Sequence, residues 1–304
     1  MRVLVLGAGA VGGYFGARLA EGGHDVTLVA RGENLAALQR DGLTLQLPDS
    51  TRRLPGIGAV ASPAEAPPAD VVLVCVKSYD TRSAAEALRP AVSPETAVLS
   101  LQNGVENEAI LAEVLGLPPL LVGLTFIGTE LIAPGVVHYT GRGEILFGEP
   151  DGAESPRAHR VADVFAAAGV SHQLRRDILV VAWEKLAWNA GFNAVTTLTG
   201  STVGAALAHA GSRELIVGTM IETDAVATGL GIPVRRHRLA RVLAESEAEM
   251  PDFATSMLQD LRRGRRLEHD ALNGAVVRAA ARAGVAAPLN RMLLGLLGRL
   301  DPGT

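Results

Sequence analysis

The sequence predicts an α/β N-terminal domain built on a doubly wound, mostly parallel sheet, followed by an all-α C-terminal domain. Three observations carry that prediction. Short aliphatic runs alternate with helix-periodic segments through the first half of the 304-residue chain. A glycine-rich turn directly follows the first of those runs. From about Asp177 the strand-like runs stop and helical periodicity takes over. The boundary falls near residue 174, which gives domains 1–174 and 175–304.

Each element follows from local pattern. Val3 to Leu6 is a continuous apolar run, as a strand buried on both faces requires. Val11 to Ala20 has helical spacing and ends at Gly22-Gly23. Asp25 to Ala30 reads as the second strand and Asn34 to Arg40 as a short helix. Leu43 to Leu47, with Val60 after a proline-glycine turn, suggests a small hairpin. Asp70 to Val76 is the clearest buried strand, Ser83 to Leu88 a helix and Thr96 to Leu101 a strand. Further strands are expected at Leu120 to Phe126, near Val136 to Tyr139 and at Glu144 to Phe147, with some antiparallel pairing.

Composition excludes several classes. The chain is 48% hydrophobic and 20% charged, which is globular and not disordered. A net charge of −4 gives no footprint for nucleic acid. One cysteine, Cys75, forbids an intramolecular disulfide and fits a reducing, cytoplasmic setting. No segment reads as membrane-spanning or as a targeting signal. The seven histidines lack ligand spacing and there is no cysteine pair, so no metal site is expected.

Gly7-Ala8-Gly9-Ala10-Val11-Gly12 is a G-x-G-x-x-G between a strand and a helix. That context suits a Rossmann-type dinucleotide site. Gly7 permits the tight turn, Gly9 the approach of a pyrophosphate, and Gly12 the packing of helix on strand. The bland alternative is an ordinary glycine-rich turn. At the end of the second strand the chain reads Val29-Ala30-Arg31, without the carboxylate that holds a ribose 2′-hydroxyl. Arg31 can pair with a 2′-phosphate, which favours NADP(H); the alternative is a solvated charge. Lys77 and Asn103-Gly104 also follow strand ends, where ligands of open α/β sheets sit, although Asn-Gly is a common turn.

In the second half, Lys185, Asn189 and Asn193 recur every four residues and form one polar stripe amid apolar residues. An unpartnered buried lysine is costly, so the stripe suggests a polar pocket; the alternative is a solvated helix face. Ser256 to Asp260 precedes an arginine-rich stretch at residues 262–266 and then Glu268. Those arginines read as a solvated face, with anion binding ranked second.

Taken together, these segments resemble the ketopantoate reductases. The resemblance spans essentially the whole chain. It rests on Gly7 to Gly12, Val76-Lys77-Ser78, Gln102-Asn103-Gly104, Trp183-Glu184-Lys185-Leu186 with Asn189 and Asn193, and Ser256 to Asp260 with Glu268. It implies reduction of ketopantoate to (R)-pantoate by NADPH in pantothenate biosynthesis, in the cleft between a Rossmann domain and a helical domain. Lys185 then matches the catalytic lysine, acting as general acid, and Glu268 its acidic partner, which orients the lysine or binds the new hydroxyl. Asn189 and Asn193 match substrate-binding asparagines, and Ser256 the serine for the substrate carboxylate. Gly7, Ala8, Gly9, Ala10, Val11 and Gly12 hold the pyrophosphate, and Arg31 and Lys77 the 2′-phosphate end. Asn103 lies between cofactor and substrate, and Glu268 also enters the cofactor set. Monomers or homodimers are implied.

Two other readings stay open. One is a related NADP-dependent 2-oxo acid or hydroxy acid dehydrogenase with another substrate. The other is a non-catalytic NADP(H)-binding regulator, which should have lost the lysine or the glutamate.

Overall fold

A computed structural model describes residues 1–118 and 120–303. Residue 304, at the end of the expected second domain, lies outside the described residues. The chain divides into two compact units: Met1–Gln102 with Asn107–Ile178, and Asn103–Glu106 with Leu179–Thr304. The division falls four residues beyond the expected boundary, and the short segment after the Thr96 strand groups with the second unit.

The first unit is built on a ten-stranded sheet. Its strands are β1 (Arg2–Leu6), β2 (Asp25–Val29), β3 (Leu43–Leu47), β4 (Ser50–Leu54), β5 (Gly58–Val60), β6 (Val71–Val74), β7 (Ala97–Ser100), β8 (Leu121–Ala133), β9 (Val136–Gly148) and β10 (His172–Leu174). The order is β4-β3-β9-β8-β7-β6-β1-β2-β5, with β10 added on β9. Among the described residues only β3–β4 and β8–β9 pair antiparallel. Alternation along the central strands explains the two-sided burial. Val3, Val5, Val71, Leu73 and Leu99 enter one core, while Leu4, Leu6, Val72, Val74 and Val98 enter the other. The helices α1 (Ala10–Glu21), α2 (Gly32–Asp41), α3 (Thr81–Leu88), α4 (Asn107–Leu115) and α5 (Pro156–Ala167) complete the unit.

Several expectations are corrected. Leu43–Leu47 does form a hairpin, but its partner is Ser50–Leu54. Val60 instead pairs with Val29 at the far edge of the sheet. The two strands expected at 136–139 and 144–147 are one strand, β9. It runs through Gly141, Arg142 and Gly143, all at positive φ, with register shifts against β8. Helices α4 and α5 and strand β10 had no counterpart in the sequence reading.

The second unit is helical. It comprises most of α6 (Ile178–Thr199), then α7 (Val203–Ala208), α8 (Ala210–Gly229), α9 (Leu239–Glu249), α10 (Ser256–Arg262), a π turn at Asp270–Gly274, α11 (Ala275–Ala283) and α12 (Pro288–Leu300). Trp183, Leu186, Ala190 and Ala194 of α6 enter one core, and Ala187, Phe192 and Val195 enter another. α6 is thus apolar on two sides, and its polar stripe takes the remaining face.

Candidate active site

At the nucleotide end, β1 lies between β2 and β6, which is where the strand order reverses. Leu6 pairs with Val29 on one side and Val74 on the other. Beyond them the amides of Gly7 and Ala8 both reach Val29 O, at 3.2 and 3.0 Å, and Cys75 N reaches Leu6 O at 2.8 Å. These bonds fold the glycine loop over the carboxyl ends of the strands. Gly7 has φ +104°, and a Cβ there would lie 2.8 Å from Val76 N. A Cβ on Gly12 would lie 2.1 Å from Gly7 O and 3.1 Å from Cys75 Cβ. A Cβ on Gly9 meets nothing within 4 Å. Gly7 and Gly12 are therefore small for the protein's own sake, whereas no described residue of the protein requires Gly9 to be small.

The electrostatics fit an anionic dinucleotide. α1 starts at Ala10, with neither a capping side chain at Gly9 nor an acidic residue in its first turn. Its first N–H groups and the positive end of its dipole are of the kind that suits a phosphate. Arg31 is exposed beside the end of β2 and opens α2. The sequence marks Asn34 only as the start of a helix. Its Nδ2 donates to Ala8 O and its Oδ1 accepts from Gly135 N, both at 2.8 Å, which fixes the loop from outside. Lys77 follows β6 and is half-buried before a 3₁₀ turn at Ser78–Asp80. Gln102 Nε2 braces that stretch by donating to Val76 O at 3.1 Å and to Thr81 Oγ1 at 2.8 Å.

In the helical unit, Lys185, Asn189 and Asn193 lie along α6 at one-turn intervals. Lys185 Nζ donates to Asn103 Oδ1 at 3.3 Å. Burial pushes the lysine down to about 8, and the charge of Glu268 opposes that fall. Glu268 is itself buried, just ahead of the π turn. The structure thus gathers Lys185, Asn103 and Glu268, with Asn103 contributed by the four-residue segment that joins this unit. Asn189 and Asn193 are buried, and Asn193 Oδ1 has no hydrogen-bond partner among the described residues. One turn further, Thr197 Oγ1 is in the same state, a residue that the four-residue stripe predicts and the sequence reading passed over. Ser256 is exposed at the first residue of α10. The preceding Thr255 caps that helix and shares a 2.8 Å hydroxyl bond with Thr196 of α6.

Among the described residues, no cluster of histidine, cysteine, aspartate or glutamate could hold a metal ion, and no helix is long and apolar enough to cross a membrane. A glycine-rich loop at the strand ends of one unit and a buried ammonium in the other are the features expected of a nicotinamide-dependent oxidoreductase. The comparisons narrow that class. Residues 3–152 match the ketopantoate reductase PanE/ApbA family, and residues 177–301 match its C-terminal part. The chain belongs to the ketopantoate reductase family. It is 36% identical to the 2-dehydropantoate 2-reductase of Halobacterium salinarum, over 98% of each chain. It is 31% identical to that of Mesorhizobium japonicum, covering 99% of this chain and 98% of the relative. Among solved structures, the PanE/ApbA family ketopantoate reductase of Ralstonia eutropha superimposes with a TM-score of 0.91 at 35% identity, covering 99% of this chain and 98% of that one. The 2-dehydropantoate 2-reductase of Geobacter metallireducens gives 0.92 at 34%, covering 98% and 99%. The family uses NADPH.

Proposed function

We propose that this chain reduces 2-dehydropantoate to (R)-pantoate at the expense of NADPH. The observation that carries the proposal is the ammonium of Lys185, lowered by burial, hydrogen-bonded to Asn103 and facing Glu268. When bound, NADPH supplies the hydride for the C2 carbonyl carbon. Lys185 stabilises the charge that develops on the carbonyl oxygen and delivers the proton that completes the alcohol. No covalent intermediate with the lysine is needed. Glu268 raises the proton affinity of Lys185 and so keeps it acidic in form at neutral pH. Asn103 accepts from Nζ and aims it. Asn189 and Asn193 hydrogen-bond the hydroxyl end of the substrate, and Ser256 its carboxylate.

Residues 1–174 carry the cofactor in this reading, and residues 175–304 the substrate. The peptide groups of Gly7 to Gly12 hold the pyrophosphate, while Arg31 and Lys77 hold the 2′-phosphate. A cytoplasmic location fits the single thiol and the use of NADPH.

The test is steady-state oxidation of NADPH with 2-dehydropantoate beside a panel of other 2-oxo acids. The expected result is the highest kcat/KM for 2-dehydropantoate, with NADH a poor substitute. A higher value for another 2-oxo acid would reassign the substrate and keep the chemistry. NADPH binding without any turnover would overturn the catalytic reading.

A further inference from the structure

We propose that Arg278 is a positioning residue for this reaction: its guanidinium ties the segment that carries Asn103 to the turn that follows Glu268, and thereby sets both partners of Lys185. The proposal rests on the roles given above to Lys185 and Glu268. Arg278 lies in the second turn of α11 and is 172 residues from Glu106 in sequence. Its Nε and Nη2 donate to Glu106 Oε2 at 3.0 and 2.8 Å. Its Nη1 donates to Asp270 Oδ1 at 2.8 Å, and Nη2 also reaches Asp270 O at 2.9 Å. Arg282, one turn on, approaches the other oxygen of Glu106 at 3.5 Å.

Both ends of this clamp lead to Lys185. Glu106 closes the segment Asn103–Glu106, which groups with the helical unit while its neighbours Gln102 and Asn107 do not. Neither helix nor strand holds that segment. Val105 packs into the helical core, and Glu106 provides the charged anchor. Asp270 opens the π turn two residues after Glu268. Such turns are rare and are frequent at functional sites. Gly274 marks the path of the clamp: a Cβ there would lie 2.6 Å from Asp270 Oδ1 and 3.1 Å from Arg278 Nη1. Any larger residue at 274 would push the ion pair aside.

Arg278 is exposed, and exposed ion pairs contribute little to stability. Its geometry is the asset, since a rigid planar fork fixes the directions of its bonds to Glu106 and Asp270, whereas an ammonium is a compact charge with freely rotating donors. Around Lys185 the relevant charge is Glu268, from the loop ahead of the π turn, and Asn103 is neutral. Glu184, its neighbour on α6, is taken up by Arg235 and Arg238.

The experiment compares Arg278→Met, Arg278→Lys, Glu106→Gln and Asp270→Asn with the parent in the full-length enzyme, by kcat, KM and the pH dependence of kcat. Arg278→Met is expected to lower kcat about 10- to 100-fold with little change in KM for NADPH. Its alkaline limb is expected to move to lower pH, because a displaced Glu268 no longer raises the lysine. Asp270→Asn should reproduce the shift of the limb. Glu106→Gln should lower kcat and leave the limb in place. Arg278→Lys should not rescue. Parent-like kcat and pH profile in Arg278→Met, with Lys185→Ala inactive, would overturn the proposal. So would a loss of activity that only tracks the folded fraction while the limb stays put. Should Arg278→Met fail to fold, the two carboxamide variants decide by the same readouts. Turnover in Lys185→Ala would instead remove the assignment on which the proposal stands.

Discussion

The two units solve their binding problems by opposite means. In the proposed reading the nucleotide end binds mostly through backbone: glycines, peptide amides and a helix terminus make the cradle, with Arg31 and Lys77 at its rim and Asn34 bracing it from outside. The acid site is all side chain, brought together from α6, the Asn103 segment and the loop before the π turn. A cradle of peptide groups is written in one short stretch of sequence, because everything that shapes it is local. A side-chain constellation is dispersed, and only the fold assembles it. The first should be broken by adding atoms and the second by removing them.

The largest effect is expected from removal. Lys185→Ala should cost about 10³-fold in kcat and leave NADPH affinity, measured by fluorescence titration, near that of the parent. Addition at the glycines should come next and should divide them. Gly12→Ala forces a methyl group onto Gly7 O. It should lower thermal stability by about 1–3 kcal/mol as well as weakening NADPH binding. Gly9→Ala meets no protein atom. It should leave the melting temperature unchanged and raise KM for NADPH, so a large loss of stability there would blur the contrast.

Arg31→Ala should raise KM for NADPH about tenfold and leave that for NADH nearly unchanged, which narrows cofactor preference. The smallest effect is a pH dependence. In the proposed mechanism Lys185 acts as an acid, so its protonated form is the active one. Burial lowers it to about 8, and kcat should therefore fall as pH rises through that value. Glu268 raises this pKa, so Glu268→Gln should move the limb to lower pH; a move upward would contradict the sign of the interaction.

What could be read in advance follows the same division. The run from Val3 to Gly12 announces strand, turn and helix because each is set by neighbours in sequence. The Lys185–Asn189–Asn193 stripe was legible because helical periodicity alone puts those residues on one face. Long-range features were not. Nothing near Asn103 says that it groups with the helical unit, or that Lys185, 82 residues on, donates to it. Strand β9 was split in the reading because Gly141-Arg142-Gly143 looks like a turn. Opposite it, β8 absorbs the irregularity with register shifts, which only the pairing reveals. Asn34 looked like an ordinary helix residue because both of its acceptor and donor partners, Ala8 and Gly135, lie in other elements.

Cys75, wedged beneath the start of α1 beside Gly12, has a practical consequence. Burial pushes its thiol up to about 12. At neutral pH little of the thiol is then ionised, and the thiolate is the species that reacts with alkylating agents and peroxides. The chain's only native sulfhydryl should therefore stay silent to maleimides and iodoacetamide. A cysteine placed at a surface position would become the single labelling handle, so spectroscopic probes can be attached without first deleting the resident one.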